Sequence, residues 1–297
     1  MYVLYCLKVL SICYIIEYEE VLYMTKIITF GLQKGGVSKT TTAGIISYLS
    51  SNDNKKILAV DFDSQGNLTE LLTNEPANNF INKSIFEAIT FREYKSPSDY
   101  IQEVKMNLDI LPANNLLASY PKWLYTKQMP SVEDKISYEG PAVQQLRLTL
   151  DEVKDEYDYI FIDTPPALSE QTTNALAASD FVIVLYECSK FCYSAIDNFM
   201  ETVELIQSTV KTDLINLGIS RTLSDNRRKD AHFFNKVIEK DYPELVFNTI
   251  INRKATTGRL PLQGFEENKE LSDALSQYKN LYKEIMQRIQ EKSDKNE

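Results

Sequence analysis

The run QKGGVSKTTT, from Gln33 to Thr42, holds the densest chemistry in the chain. Gly35 and Gly36 carry no Cβ, so the backbone there can approach a polyphosphate closely. Backbone N–H groups and the helix N-terminus behind them supply donors and positive potential for an anion. Lys39 is placed to reach the β- and γ-phosphates of a nucleotide, and the Thr40 hydroxyl to meet Mg²⁺. The strict pattern G-x-x-x-x-G-K-S/T is not met, because Gln33 and Ser38 stand where its glycines belong. A glycine-containing turn that merely ends a strand is the plain alternative. Three carboxylates argue against it. Asp61 and Asp63 close the apolar run ILAVDFD, and Asp163 closes YIFID. A carboxylate at the end of an apolar strand is costly unless it meets a metal, a water or a cation, and Mg-ATP supplies all of these.

Such residues converge only if the elements around them bring strand ends together. From Lys26 the pattern is strand, loop, helix, repeated. KIITF, KKILAVDFD, LDILPA, YDYIFID, FVIVLYE, LINLGIS and LVFNTII read as strands, being short, apolar and rich in β-branched residues. TTAGIISYLSS, SIFEAIT, AVQQLRLTLDEVKDE, NALAAS, AIDNFMETVELIQSTV and a stretch around Phe233–Glu239 read as helices. The tail from Lys269 to Gln290 sets Leu271, Leu275, Tyr278, Leu281 and Ile285 at helical spacing. This alternation predicts an α/β fold, a mainly parallel twisted sheet with helices on both faces. Ligands of such sheets bind at the carboxyl ends of strands, where every motif above falls. Residues 125–141, with two prolines, a glycine and mixed charge, read as a surface insertion. No repeat or linker interrupts the pattern, so 24–297 is expected to form a single P-loop ATPase domain.

The motifs together resemble those of the ParA/MinD family of ATPases. KGGVSKT is similar to its deviant Walker A box, K-G-G-x-x-K-S/T; VDFDSQGN resembles its D-x-D-P-Q-G-N motif with Ser64 for proline; IDTPP resembles its Walker B segment. The likeness runs from about Met24 to Ile289 and is nearest to plasmid partition ATPases. It implies a P-loop NTPase fold, with Gly35, Gly36, Val37, Ser38, Lys39, Thr40 and Thr41 cradling ATP. It implies that Lys34 reaches across a homodimer to the partner's phosphates, that Asp61 and Asp163 join Thr40 in holding Mg²⁺ through waters, and that Asp63 positions the attacking water. It places the nucleobase near Thr222 and Asn252. It further implies an ATP-dependent dimer that coats DNA without sequence preference, answers to a ParB-like centromere-binding protein, and resides in the cytoplasm on the nucleoid. A MinD-like membrane-cycling switch, or a reductase or ligase on the same scaffold, are the other classes the family contains.

Composition bounds these readings. The chain has 297 residues, 43% hydrophobic and 25% charged, enough for a sizeable core. A net charge of −10 opposes whole-surface attraction to nucleic acid or anionic lipid, so DNA binding needs a local basic patch. Arg227, Arg228 and Lys229, with Arg253, Lys254 and Arg259, supply one, although an ordinary solvated face explains such charges too. The carboxyl end QRIQEKSDKNE lacks the basic, aromatic amphipathic character of a membrane anchor. Cys188 and Cys192 fit buried structural thiols better than metal ligands. Within residues 1–23, the first sixteen are apolar but interrupted by Lys8 and followed by Glu17-Tyr18-Glu19-Glu20. Glu19-Glu20-Val21 is encodable as a ribosome-binding sequence ahead of Met24, so this stretch is read as a translated leader, with an appended helix as the alternative.

Overall fold

The computed structural model describes residues 24–128, 141–225, 229–265 and 268–294. Residues 1–23, and most of the expected insertion at 125–141, lie outside the described residues. The strands are β1 (Lys26–Gly31), β2 (Ile57–Asp61), β3 (Gln102–Lys105), β4 (Leu108–Leu111), β5 (Tyr159–Asp163), β6 (Phe181–Glu187), β7 (Ile215–Ser224) and β8 (Val246–Asn252). The helices are α1 (Lys39–Asn52), α2 (Asn67–Thr73), α3 (Ile85–Thr90), α4 (Tyr120–Trp123), α5 (Gln145–Leu150), α6 (Glu170–Ala178), α7 (Lys190–Thr209), α8 (Lys229–Asp241), α9 (Ala255–Gln263), α10 (Lys269–Leu275) and α11 (Tyr278–Ser293).

One eight-stranded sheet runs in the order β3-β4-β2-β5-β1-β6-β7-β8. All neighbours are parallel except β3 and β4 at one edge. The centre reads as continuous apolar runs because both of its faces are covered. Alternation along β1 shows how. Ile28 and Phe30 pack with Ile45 and Ile46 of α1, Leu71 of α2, Phe199 of α7 and Ile285 of α11. Ile27 faces the other way, with Ile85 of α3, Tyr120, Leu146 of α5 and Ala175 of α6. Each such side chain, buried in full, contributes about 1.5–3 kcal/mol relative to exposure. The register sets Asp163 beside Phe30 on one flank and Asp61 on the other. Two of the three carboxylates therefore stand side by side at the carboxyl end of the sheet.

Several boundaries differ from the sequence expectation. The strand expected over KKILAVDFD stops at Asp61, leaving Phe62 and Asp63 in a turn. The helix expected over AVQQLRLTLDEVKDE is a 3-10 turn, the short α5, and another 3-10 turn at Lys154–Glu156. Leu150 and Val153, on either side of that break, are both buried. The tail divides into α10 and α11 at Ser276 and Gln277. There the Gln277 amide accepts from the Asn252 N–H at 2.9 Å and donates to its carbonyl at 2.7 Å, completing the exposed edge of β8. The edge strand β3 and the helix α9, which holds Pro261, were not expected.

Candidate phosphate-binding site

The loop after β1 is shaped by two left-handed residues. Gly36 has φ +78° and Ser38 φ +65°, a geometry that turns successive backbone N–H groups toward one concavity. Ser38 caps α1, whose first turn carries no acidic residue, so the positive helix end is left for an external anion. Gly35 and Gly36 are exposed, whereas Val37 beneath them is buried.

Lys39 crosses the loop from inside. Its Nζ donates to the Leu32 carbonyl at 3.2 Å and the Lys34 carbonyl at 2.9 Å. Burial lowers its pKa, opposed by the nearby charges of Asp163 and Asp63. The Thr40 hydroxyl donates to Asp163 Oδ2 at 2.6 Å. Asp163 Oδ1 is buried without a partner. Burial and the adjacent Asp61 raise the Asp163 pKa. An orphaned carboxylate oxygen beside a threonine hydroxyl, both oxygen donors, fits a hard cation such as Mg²⁺.

Asp61 and Asp63 divide their tasks. Asp61 is fully buried, which pushes its pKa up to about 7, and it accepts from the Thr69 N–H, the Thr69 hydroxyl and the Asp63 N–H. It does not line the cavity. Asp63 does, with its Oδ1 also accepting from the Gln65 N–H at 3.0 Å. That cavity, about 500 Å³, is walled by Gly35 to Thr41, Asp63, Gln65, Asn67, Glu70, Leu71, Thr164, Pro166, Leu223 and Pro261. Its wall combines the phosphate loop and the Asp63 carboxylate with the apolar Leu71, Leu223 and Pro261.

Other expected site residues stand elsewhere. Thr222 is fully buried, and its hydroxyl donates to the Val37 carbonyl at 2.9 Å, so it sits under the loop rather than in the cavity. Leu223, next to it, lines the cavity at φ +50°, a conformation uncommon for a side chain of this size. Asn252 does not line the cavity, and its Oδ1 is buried without a partner. Lys34 Nζ lies 5.7 Å over the ring of exposed Phe191, away from its own cavity. Arg253, Lys254 and Arg259 pair with Glu187, Asp273 and Glu270. Arg227 and Arg228 lie outside the described residues, and Lys229 opens α8. Cys188 and Cys192 are free and buried. Leu223, Pro261, Glu70 and Leu71 were missed by sequence reasoning. Apolar residues carry no chemical signature, although Glu70 and Leu71 follow VDFDSQGN by one helical turn.

A family model described as an AAA domain matches residues 25–216. The chain is 32% identical over 271 residues to the chromosome-partitioning ATPase Soj of Treponema pallidum (strain Nichols), spanning 89% of this chain and 98% of that protein. Among solved structures it is similar to a putative plasmid partition protein from Borrelia burgdorferi B31 bound to AMPPNP, at 26% identity and TM-score 0.67 over 90% of this chain and 99% of that one. It is also similar to cobyrinic acid a,c-diamide synthase from Mycobacterium smegmatis with bound ADP and magnesium, at 28% identity and TM-score 0.68 over 80% and 91%. With the deviant loop, the paired strand-end aspartates and these relatives in agreement, the chain belongs to the ParA/MinD family of ATPases.

Proposed function

We propose that the chain is a partition ATPase that binds Mg-ATP, closes into a homodimer on it, and releases the dimer by hydrolysis. One observation carries the reading: Lys39, Thr40 and Asp63 wall a single cavity, with Asp163 bonded to Thr40 behind it. The phosphates lie in the concavity from Gly35 to Thr41, and Lys39 exchanges its two backbone carbonyls for β- and γ-phosphate oxygens. The apolar wall residues Leu71, Leu223 and Pro261 receive the base. Thr40 and Asp163 would hold Mg²⁺, with Asp61 adding negative charge from behind. Mg²⁺ held there would neutralise charge on the phosphate oxygens. Asp63 orients the attacking water, and water excluded from the closed site strengthens each of these electrostatic contacts.

Support for the dimer comes from the loop itself. Gly35 and Gly36 are exposed, and Lys34 rests against an exposed phenylalanine instead of its own cavity, free to turn toward a second copy's phosphates. In the DNA reading, Arg227, Arg228 and Lys229 contact phosphates, joined by Arg253, Lys254 and Arg259. Exposed ion pairs of the kind the last three make are worth about 0–1 kcal/mol, so a DNA phosphate can replace the carboxylate. A ParB-like protein stimulating hydrolysis and a cytoplasmic, nucleoid-associated site of action complete the proposal. Among the described residues no helix is long and apolar enough to cross a membrane. Residues 24–297 are proposed to act as one ATPase unit.

The diamide synthase likeness supports a second reading, an ATP-dependent enzyme on this scaffold. The partition reading is favoured by a relative matched over 98% of its length. Phosphate release from ATP by the purified protein, with no organic acid or amine present, separates them. Turnover that is abolished by EDTA and restored by Mg²⁺ is expected. Turnover that persists in EDTA, or that demands a second organic substrate, contradicts the proposal.

A further inference from the structure

Thr69 is fully buried on α2 and does not line the cavity, yet it is wired to the residue that does. Its N–H and its hydroxyl both donate to Asp61 Oδ2, at 2.8 and 2.7 Å. The same hydroxyl accepts from the Ala113 N–H at 2.9 Å, just beyond β4. Asp61 Oδ1 in turn accepts from the Asp63 N–H at 3.2 Å. A continuous path therefore runs from the end of β4, through Thr69 and Asp61, to the backbone of Asp63. A hydroxyl that donates and accepts at once has a fixed direction, and buried networks of this kind hold one arrangement. Two further features restrain the enclosed turn. The Gly66 N–H donates to the Asp63 carbonyl at 3.0 Å, and a Cβ on Gly66, which has φ +66°, would stand 2.3 Å from Ala77 Cβ. With three donors on its two oxygens, Asp61 works here mainly by holding backbone.

We propose that Thr69 is a positioning residue for hydrolysis: through Asp61 it fixes the backbone of Asp63 and so the aim of the Asp63 carboxylate. Valine has the shape of threonine without the hydroxyl; serine keeps the hydroxyl without the methyl. Thr69→Ser should therefore retain function and Thr69→Val should lose it. The inference rests on the reading of Asp63 as the group that orients water.

Its test is a four-way comparison of wild type, Thr69→Val, Asp63→Ala and the double variant. ATP turnover and the binding of a fluorescent ATP analogue are measured separately. Thr69→Val is expected to lower turnover about 10- to 100-fold, as small misplacements of catalytic groups do, while analogue affinity stays within about threefold. Thr69→Ser keeps wild-type turnover. In the Asp63→Ala background Thr69→Val costs nothing further, because the group it aims is gone, whereas a merely structural threonine would lower the rate again. Should Thr69→Val not fold, Thr69→Ala carries the same comparison, and failure of both to fold overturns the positioning role. So does folded Thr69→Val at the wild-type rate, or an equal loss of binding and turnover. Wild-type turnover in Asp63→Ala removes the underlying reading; normal Thr69→Val beside a slow Asp63→Ala removes only this inference.

Discussion

Lys39 spends its ammonium on two carbonyls of its own loop, those of Leu32 and Lys34, and is buried while doing so. A buried ammonium is costly unless paired, so phosphate oxygens offer it a stronger partner than neutral carbonyls. Lys39→Ala should remove that attraction and lower ATP turnover by about 10²–10³-fold, the usual loss on deleting one preorganised electrostatic group. Phosphate release measures it, and wild-type turnover in the variant would show that the cavity is not the reaction site. The residues of this scale were the most legible in the sequence. A lysine after a double-glycine loop and aspartates closing apolar strands demand partners, and Lys39, Thr40 and Asp63 do stand together. Leu223 and Pro261 were not legible, because they reach the cavity from distant segments and an apolar wall looks like core. Thr222 itself lies under the loop, while its neighbour Leu223, at φ +50°, lines the cavity.

At the scale of elements, β7 is tied to the phosphate loop by one hydrogen bond, from the Thr222 hydroxyl to the Val37 carbonyl. Thr222→Val keeps the shape but leaves that buried carbonyl short of a donor, costing about 1–3 kcal/mol. Thermal unfolding should show the loss, and nucleotide affinity should fall with it while preference for ATP over GTP is unchanged. Altered base preference at unchanged stability would instead return Thr222 to the base site. The parallel strands were readable because burial on both faces makes them continuous apolar runs. β3 was not, since its residues Gln102–Lys105 are polar and only partly buried at an antiparallel edge. Likewise α5 and the break before α11 depend on partners remote in sequence. Gln277 leaves the helical pattern to bond Asn252, which no local pattern encodes.

For the whole molecule, the sheet places nucleotide chemistry at the carboxyl ends of β1, β2 and β5, while Arg253 and Lys254 follow β8 and Arg259 lies on α9. An acidic protein that binds DNA must do so through such a confined patch. Replacing Arg227, Arg228 and Lys229 together with alanine should flatten the salt dependence of DNA affinity by about 3 units of slope and leave DNA-free turnover normal. An unchanged slope would move the contact surface to Arg253, Lys254 and Arg259. The switch itself is tested most directly by trapping it. Asp63→Ala should bind ATP yet hydrolyse it on the order of 10²–10⁴-fold more slowly, since one well-placed catalytic group is lost. Co-sedimentation of this variant with DNA, in ATP, in ADP and without nucleotide, then reads the state of the molecule. The account predicts a dimer retained on DNA in ATP alone. A variant that binds ATP and hydrolyses it slowly, yet stays monomeric and off DNA, would contradict the switch.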